Sequence, residues 1–280
     1  MFRNLSPGAI GVRCTMEQAL RLAPLGGFEG VDLEVAAAQK WGGPKEAAKR
    51  FADAGLRMGG FGLPIDWNAE LSEYHRQLEG LGPVAEFAAA AGCARTATWV
   101  PSWCDKMPYD QAFEWHAERF RPIAKALKEH GCRLGLEFLG PKTLRASRKY
   151  EFISTMGCML GLCAAIGDNV GLLLDAWHWY TSHGTLEDLR RLTDADVVYI
   201  HINDAPAGVA IDEHVDNVRR LPGETGVIDL VGFLRALHEI GCTAPVTPEP
   251  FVARLAELPP AEAVRIAGDA LARVWKAAGL

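Results

Sequence analysis

The chain has 280 residues, of which 49% are hydrophobic and 23% charged, with a formal net charge of −6. That composition excludes a disordered chain, which would be poorer in apolar residues, and the length excludes a small disulfide-stapled scaffold. With 29 basic against 35 acidic residues, the global balance attracts neither a phosphate backbone nor an anionic membrane, so no nucleic-acid or membrane partner is expected.

The predicted elements alternate along the chain. A strand at 9–12 precedes a helix at 16–25, and a strand at 30–33 precedes a helix at 44–54 that stops at Gly55. A strand at 57–63 leads to an Ala-rich helix at 78–91, closed by Gly92. A strand at 96–100 leads to a helix at 109–129, with Phe113, Phe120, Ile123, Ala124 and Leu127 on one stripe. Strands at 133–137, 170–174, 197–201 and 245–249 follow, with helices at 186–192, 230–240 and 260–278. A glycine shortly before a strand recurs at Gly55, Gly92, Gly131, Gly167 and Gly241, which marks helix ends. Eight strands whose starts lie 21 to 48 residues apart are the pattern of a (β/α)8 TIM barrel, here a single domain over residues 1–280. The competing doubly wound sheet would carry a Gly-rich phosphate loop after its first strand, and the sequence there, GVRCTMEQ, has none.

Seven cysteines (Cys14, Cys93, Cys104, Cys132, Cys158, Cys163 and Cys242) are scattered with no C-x-x-C, as in reduced cytoplasmic proteins. No apolar run is long enough for a membrane span, and the N-terminus has no signal-peptide pattern. The expected location is the cytoplasm. The one dense basic run, RASRK at 145–149, reads as a solvated loop or helix start.

In a barrel the chemistry sits at the C-terminal ends of the strands. Four successive strands end in polar residues: Glu137, Asp175, His201 and Glu249. One carboxylate after a strand commonly caps the next helix, but four such ends on neighbouring strands converge on one side of the mouth. Three carboxylates packed together repel each other, and a divalent cation resolves the repulsion. Two Glu, one Asp and one His suit one Mn²⁺, Mg²⁺, Co²⁺ or Zn²⁺ with positions left for substrate oxygens.

The phrases LGLEF (134–138), GLLLDAWHWY (171–180), YIHINDA (199–205), RRLPGETGVID (219–229) and TPEPF (247–251) stand in the order and at the separations of a known family. The chain resembles the sugar phosphate isomerase/epimerase superfamily, the xylose-isomerase-like TIM barrels. That group includes hydroxypyruvate isomerase, ketose 3-epimerases and inosose isomerases and dehydratases. The resemblance implies that Glu137, Asp175, His201 and Glu249 are metal ligands. It implies that His178 and Arg219 face substrate oxygens, with Arg220 the adjacent alternative. The loop P-G-E-T-G departs from the family's P-G-x-G by one residue.

The activity so implied is isomerisation or epimerisation of a small sugar, polyol ketone or hydroxy-keto acid. A proton leaves the carbon next to a carbonyl and an enediolate forms, with Glu137 and Glu249 moving the proton. The same site fits an inosose-type dehydratase. A metal-dependent nuclease is disfavoured because the third and fourth strand ends, FGLPIDW and TWVPSW, hold no histidine, and a non-catalytic sugar-binding barrel by four intact ligands. His214 is expected in a solvated loop and Asp204 as a turn cap. Trp67, Trp99, Trp103, Trp177 and Trp179 are expected near the mouth, where aromatics stack on sugar rings. The expected partner is a small carbohydrate, and the oligomeric state is left open, a homo-oligomer included.

Overall fold

The computed structural model describes Met1–Leu280. Eight parallel strands close into one barrel. They are β1 (Phe2–Leu5), β2 (Gly30–Leu33), β3 (Arg57–Gly62), β4 (Arg95–Val100), β5 (Arg133–Phe138), β6 (Val170–Asp175), β7 (Val197–Ile202) and β8 (Pro245–Pro248). Each strand pairs with its neighbours in sequence, and β1 pairs with β8 to complete the ring. The main surrounding helices are α1 (Met16–Leu22), α2 (Pro44–Asp53), α3 (Leu71–Ala91), α4 (Tyr109–Lys128), α5 (Met156–Ile166), α6 (Leu186–Arg190), α7 (Leu230–Glu239) and α8 (Pro260–Ala278). No helix is long and apolar enough to cross a membrane. All seven cysteines are unpaired.

The first strand is corrected. It is Phe2–Leu5, and residues 9–12 run through a 3-10 turn and a loop. FRNL is weakly apolar because Asn4 points into the barrel, where it hydrogen-bonds Asp32, Tyr199 and Thr247. The apolar letters of AIGV are buried for a different reason: Ile10 and Val12 pack into the core as a loop, and Gly11 takes φ 75, which breaks extended structure. Helix α3 begins at Leu71, earlier than the predicted 78, through a polar first turn and a half. Helix α5, rich in Met, Cys and Gly, carries almost no amphipathic signal, and of it the pattern showed only the terminal Gly167.

The barrel interior is not uniformly apolar. Asn4, Asp32, Tyr199 and Thr247 form a hydrogen-bonded network across it, with Tyr199 Oη 2.9 Å from Asp32 and 2.6 Å from Thr247 Oγ1. Gly60 makes room for it, since a Cβ there would lie 3.1 Å from the Tyr199 ring. Outside the barrel, α8 lies against the turn Ala23–Gly26 so closely that a Cβ on Gly268 would sit 2.0 Å from the Gly26 carbonyl oxygen. Gly268→Ala is therefore expected to lower stability by about 1–3 kcal/mol through overpacking, measurable as a fall in urea midpoint.

His116 is buried on α4, with Nδ1 2.7 Å from the Ala112 carbonyl oxygen and the ring stacked on Phe152. Burial lowers its pKa from 6.5 to about 4. The unfolded chain thus binds more protons between those values. The stability is present above pH 6.5 and is lost as pH falls toward 4. The loss is about 2 kcal/mol at pH 5. His116→Gln should flatten this part of the stability–pH curve, read from urea unfolding at pH 7 and pH 5.

Candidate active site

The register of the sheet lines up the site. Asp175 on β6 pairs with His201 on β7, His201 pairs with Thr247 on β8, and Glu137 on β5 pairs with Trp99 on β4. Glu249 follows β8, its N–H donating to the Ile202 carbonyl, 3.1 Å away. One potential ligand atom each from Glu137, Asp175, His201 and Glu249 lies within 4.8 Å of the others. His201 Nδ1 stands 3.4 Å from both Glu137 Oε1 and Glu249 Oε2.

Asp175 serves two purposes. Its Oδ1 accepts the Trp177 N–H at 2.8 Å, capping the short helix Ala176–Thr181, and the Asn203 amide at 2.9 Å. Its Oδ2 is left facing the cluster, where Arg219 Nη1 donates to it at 2.6 Å. The same Nη1 is 3.0 Å from Glu249 Oε2, and Nη2 donates to Asp216 at 3.0 Å. The guanidinium lies between Phe251 and Trp177, 4.6 and 5.4 Å from their ring centroids. Phe251 is held there at φ 45, an uncommon conformation for a non-glycine residue. Arg219 faces the cluster, while Arg220 turns back to the Arg219 carbonyl and bridges to Asp204.

His178 is buried behind this group. The Gly140 N–H donates to its Nδ1 at 3.2 Å, and Arg219 Nη2 lies 3.2 Å from its Nε2. A neutral imidazole has one acceptor nitrogen, so it satisfies one of these donors at a time and leaves the other for a third oxygen. The ring is held neutral: burial lowers its pKa to about 4, against the pull of Asp175.

The charges shape each other. Burial raises Glu137 to about 7, partly offset by His201, and burial likewise raises Glu249. Burial alone would raise Asp175, but Arg219, His178 and His201 outweigh it and bring it to about 2. Burial alone would lower His201, but Glu249 and Glu137 raise it to about 9. Asp32, at the base of the mouth, is raised by burial and pulled back by donors on Asn4, Tyr199, Gly60 and Ser6.

The donor set fits a divalent ion. Glu137 Oε1 and His201 Nδ1 are buried without any hydrogen-bond partner, the condition of atoms placed to receive a cation rather than a proton donor. These four residues are the one group of three or more potential ligands that converges in the molecule.

Some expected residues lie elsewhere. Trp177 is fully buried, and Trp179 is buried against Phe233. Trp67 packs among Trp99, Trp115, His116 and Phe120, and Arg148 covers Trp103. Trp99, 51% exposed, is the tryptophan left open at the mouth. His214 is not in a solvated loop: it is 1% exposed, wedged against Trp177 and Tyr180. Asp204 accepts the N–H groups of Thr225, Gly226 and Ile228 and so holds the loop after Leu221, in agreement with its reading as a cap. Asp216, Asn203 and Asp32 were not singled out from the sequence. Asn203 and Asp32 could have been found as polar letters at strand ends, in YIHIND and GVDLE, whereas Asp216 sits in a loop with no pattern.

The xylose isomerase-like TIM barrel family model matches residues 20–274. The chain belongs to the xylose isomerase-like TIM barrel family. A xylose isomerase domain protein from Alicyclobacillus acidocaldarius is 29% identical over the full length of both chains, with a TM-score of 0.86. The structure of IolI protein with a zinc atom bound shares the fold at 19% identity and a TM-score of 0.79, covering 98% of each chain. In sequence, inosose isomerase of Bacillus subtilis is 31% identical over 151 residues, which are 52% of this chain and 49% of that protein. The chain thus spans about half the length of the curated relatives it matches. Protein purified without chelator and supplied with Mn²⁺ or Zn²⁺ is expected to carry about one divalent ion per chain. Asp175→Ala should lose it, as measured by inductively coupled plasma mass spectrometry, and three ions per chain would contradict a mononuclear site.

Proposed function

We propose that this protein is a divalent-metal-dependent isomerase or epimerase. Its substrate is a small sugar, polyol ketone or hydroxy-keto acid, which it converts by moving a proton next to a carbonyl. The observation that carries the reading is the pair Glu137 and Glu249, each 3.4 Å from His201 Nδ1 and with Asp175 completing the cluster. The likeness to inosose isomerase and to the zinc-bound IolI structure supports it. We read the chain as one domain over residues 1–280 acting on a small molecule, and its unpaired cysteines accord with a cytoplasmic setting.

Asp175 Oδ2, His201 Nδ1 and one oxygen each of Glu137 and Glu249 would hold the ion. When bound, it supplies Lewis-acid stabilisation of negative charge on substrate oxygens. Glu137 and Glu249 move the proton. One carboxylate oxygen takes it from the carbon next to the carbonyl, and the other returns one. Return to the former carbonyl carbon, with the hydroxyl proton passing between the two oxygens, gives an aldose–ketose shift, and return to the same carbon from the opposite face gives epimerisation. Burial raises the proton affinity of both, Glu137 to about 7, which suits groups that must give and take protons near neutrality. Arg219 Nη2 and the neutral His178 supply donors at the substrate oxygens. Trp99 offers an apolar face that covers the ring and keeps water out.

Expulsion of a β-hydroxyl from the same carbanion would make a dehydratase, and product analysis separates the two. The test is metal-loaded protein incubated with inososes and ketoses in D₂O, followed by NMR. Deuterium should enter at the carbon next to the carbonyl as product forms. Glu137→Gln and Glu249→Gln should each lower turnover by about 10²–10⁴-fold while ligand still binds. Substantial turnover in either variant would remove these roles, and no exchange by the wild type with any ketose or inosose would remove the proposed function.

A further inference from the structure

We infer that Asp32 is a substrate-binding residue, which accepts hydroxyl groups at the end of the substrate remote from the carbonyl and so selects uncharged polyhydroxy ketones. The inference rests on the function proposed above and adds a second pole to the site.

Asp32 lies on β2, on the other side of the barrel from the metal cluster, yet it lines the same cavity as one of the ligands. That cavity of 160 Å³ is bounded by Asp32, Gly60, Gly62, Ala97, Tyr199 and His201 among others. Asp32 and Gly62 also line a larger cleft of 1080 Å³ between the loops after β1 and β2. Asp32 therefore lines both the cavity beside His201 and the cleft. Its network partners Asn4, Thr247 and Tyr199 are buried, whereas Asp32 keeps part of its surface open.

The count of hydrogen bonds shows which oxygen is available. Asp32 Oδ1 accepts from Asn4 Nδ2 at 2.8 Å, from the Gly60 N–H at 3.0 Å and from Tyr199 Oη at 2.9 Å. Asp32 Oδ2 has that same Tyr199 hydroxyl, also at 2.9 Å, and the Ser6 side chain is a further donor to the carboxylate. One phenolic proton cannot fill both, and a carboxylate has about four acceptor positions. Because Tyr199 can give that proton to Thr247 Oγ1 instead, the carboxylate keeps an acceptor position open on a side chain already oriented by its neighbours. A preformed acceptor of this kind binds hydroxyls without ordering cost.

The surrounding charge narrows the class. The cavity has no Lys or Arg in its wall. Arg219, in the metal site, has its charge matched by Asp175, Asp216 and Glu249. In the cleft, Arg13 and Lys40 are matched by Glu17 and Glu34. Nothing there gathers cations around a phosphate, while Asp32 and the three clustered carboxylates meet hydroxyls favourably.

The test uses the full metal-loaded chain with an inosose, its deoxy analogue lacking a hydroxyl remote from the carbonyl, and its phosphate ester. Asp32→Ala and Asp32→Asn are expected to raise KM by about 10- to 100-fold, with kcat within about threefold and one metal ion per chain retained. Removing the remote hydroxyl should cost the wild type a similar factor in kcat/KM and cost Asp32→Ala almost nothing. The phosphate ester should be the poorer substrate of the wild type. An unchanged KM in both variants, equal losses of kcat and metal, or a phosphate ester used as well as its parent would each overturn the inference. If the wild type turns over no ketose or inosose, the proposed function fails separately. Asp32 is then judged by calorimetric binding of myo-inositol to the metal-loaded protein. Weaker binding to Asp32→Ala supports the inference, and equal binding or none to the wild type overturns it.

Discussion

Three carboxylates crowd the mouth of this barrel with potential ligand atoms, together with one on His201, all within 4.8 Å, and the mutual repulsion of those groups is the constraint around which the neighbouring structure is organised. Arg219 offsets part of it, bonded to Asp175, Asp216 and Glu249 at once. A buried guanidinium is costly unless its donors are paired; here Nη1 and Nη2 are paired, Nε is not, and the rings of Phe251 and Trp177 pack against the group. His201 offsets another part, its charged form favoured by the two glutamates. Of the four clustered groups, Glu137 Oε1 and His201 Nδ1 remain without a hydrogen-bond partner, and these a divalent ion would complete.

The scaffold makes this concentration of charge tolerable by holding each group from behind. Asp175 is fixed through Oδ1 by Trp177 and Asn203, which leaves Oδ2 to the cluster and to Arg219. His178 is fixed by Gly140. Beneath them, Tyr199 stands edge-on to His201 at 5.4 Å and carries the network of Asn4, Asp32 and Thr247. Polar groups inside a barrel are stabilising only when nearly all are satisfied, and in this network Asn4 Oδ1 is the buried oxygen left without a partner. Fold and site are joined at that point: the residues that fill the barrel also set the shape and polarity of the cavity beside His201.

Much of this was legible in the sequence because it depends on short-range pattern. Apolar runs closed by Glu137, Asp175, His201 and Glu249 signalled strands ending in polar groups, and the parallel neighbour relation brought those groups within 4.8 Å of one another. Misreadings arose where burial has no local signature. AIGV is as apolar as a strand but packs as a loop, and FRNL looks too polar for one because its asparagine serves the barrel interior. Helix α5 has no amphipathic stripe. Trp177 and Trp179 flank His178 in sequence but turn into the core. His214 sits among polar letters in IDEHVDN yet is enclosed by aromatics from the segment after β6.

The sequence by itself determined the class of fold and the four groups at the strand ends, since periodicity and the last polar letter of each strand are properties of contiguous residues. Only the tertiary structure decided between Arg219 and Arg220, brought Asp216 to the guanidinium, and set Asp32 in the cavity of His201. Those choices depend on residues 3 to 169 positions apart meeting across a closed barrel. Which face of a loop turns inward is decided by the partners available there, and the chain order does not carry that information.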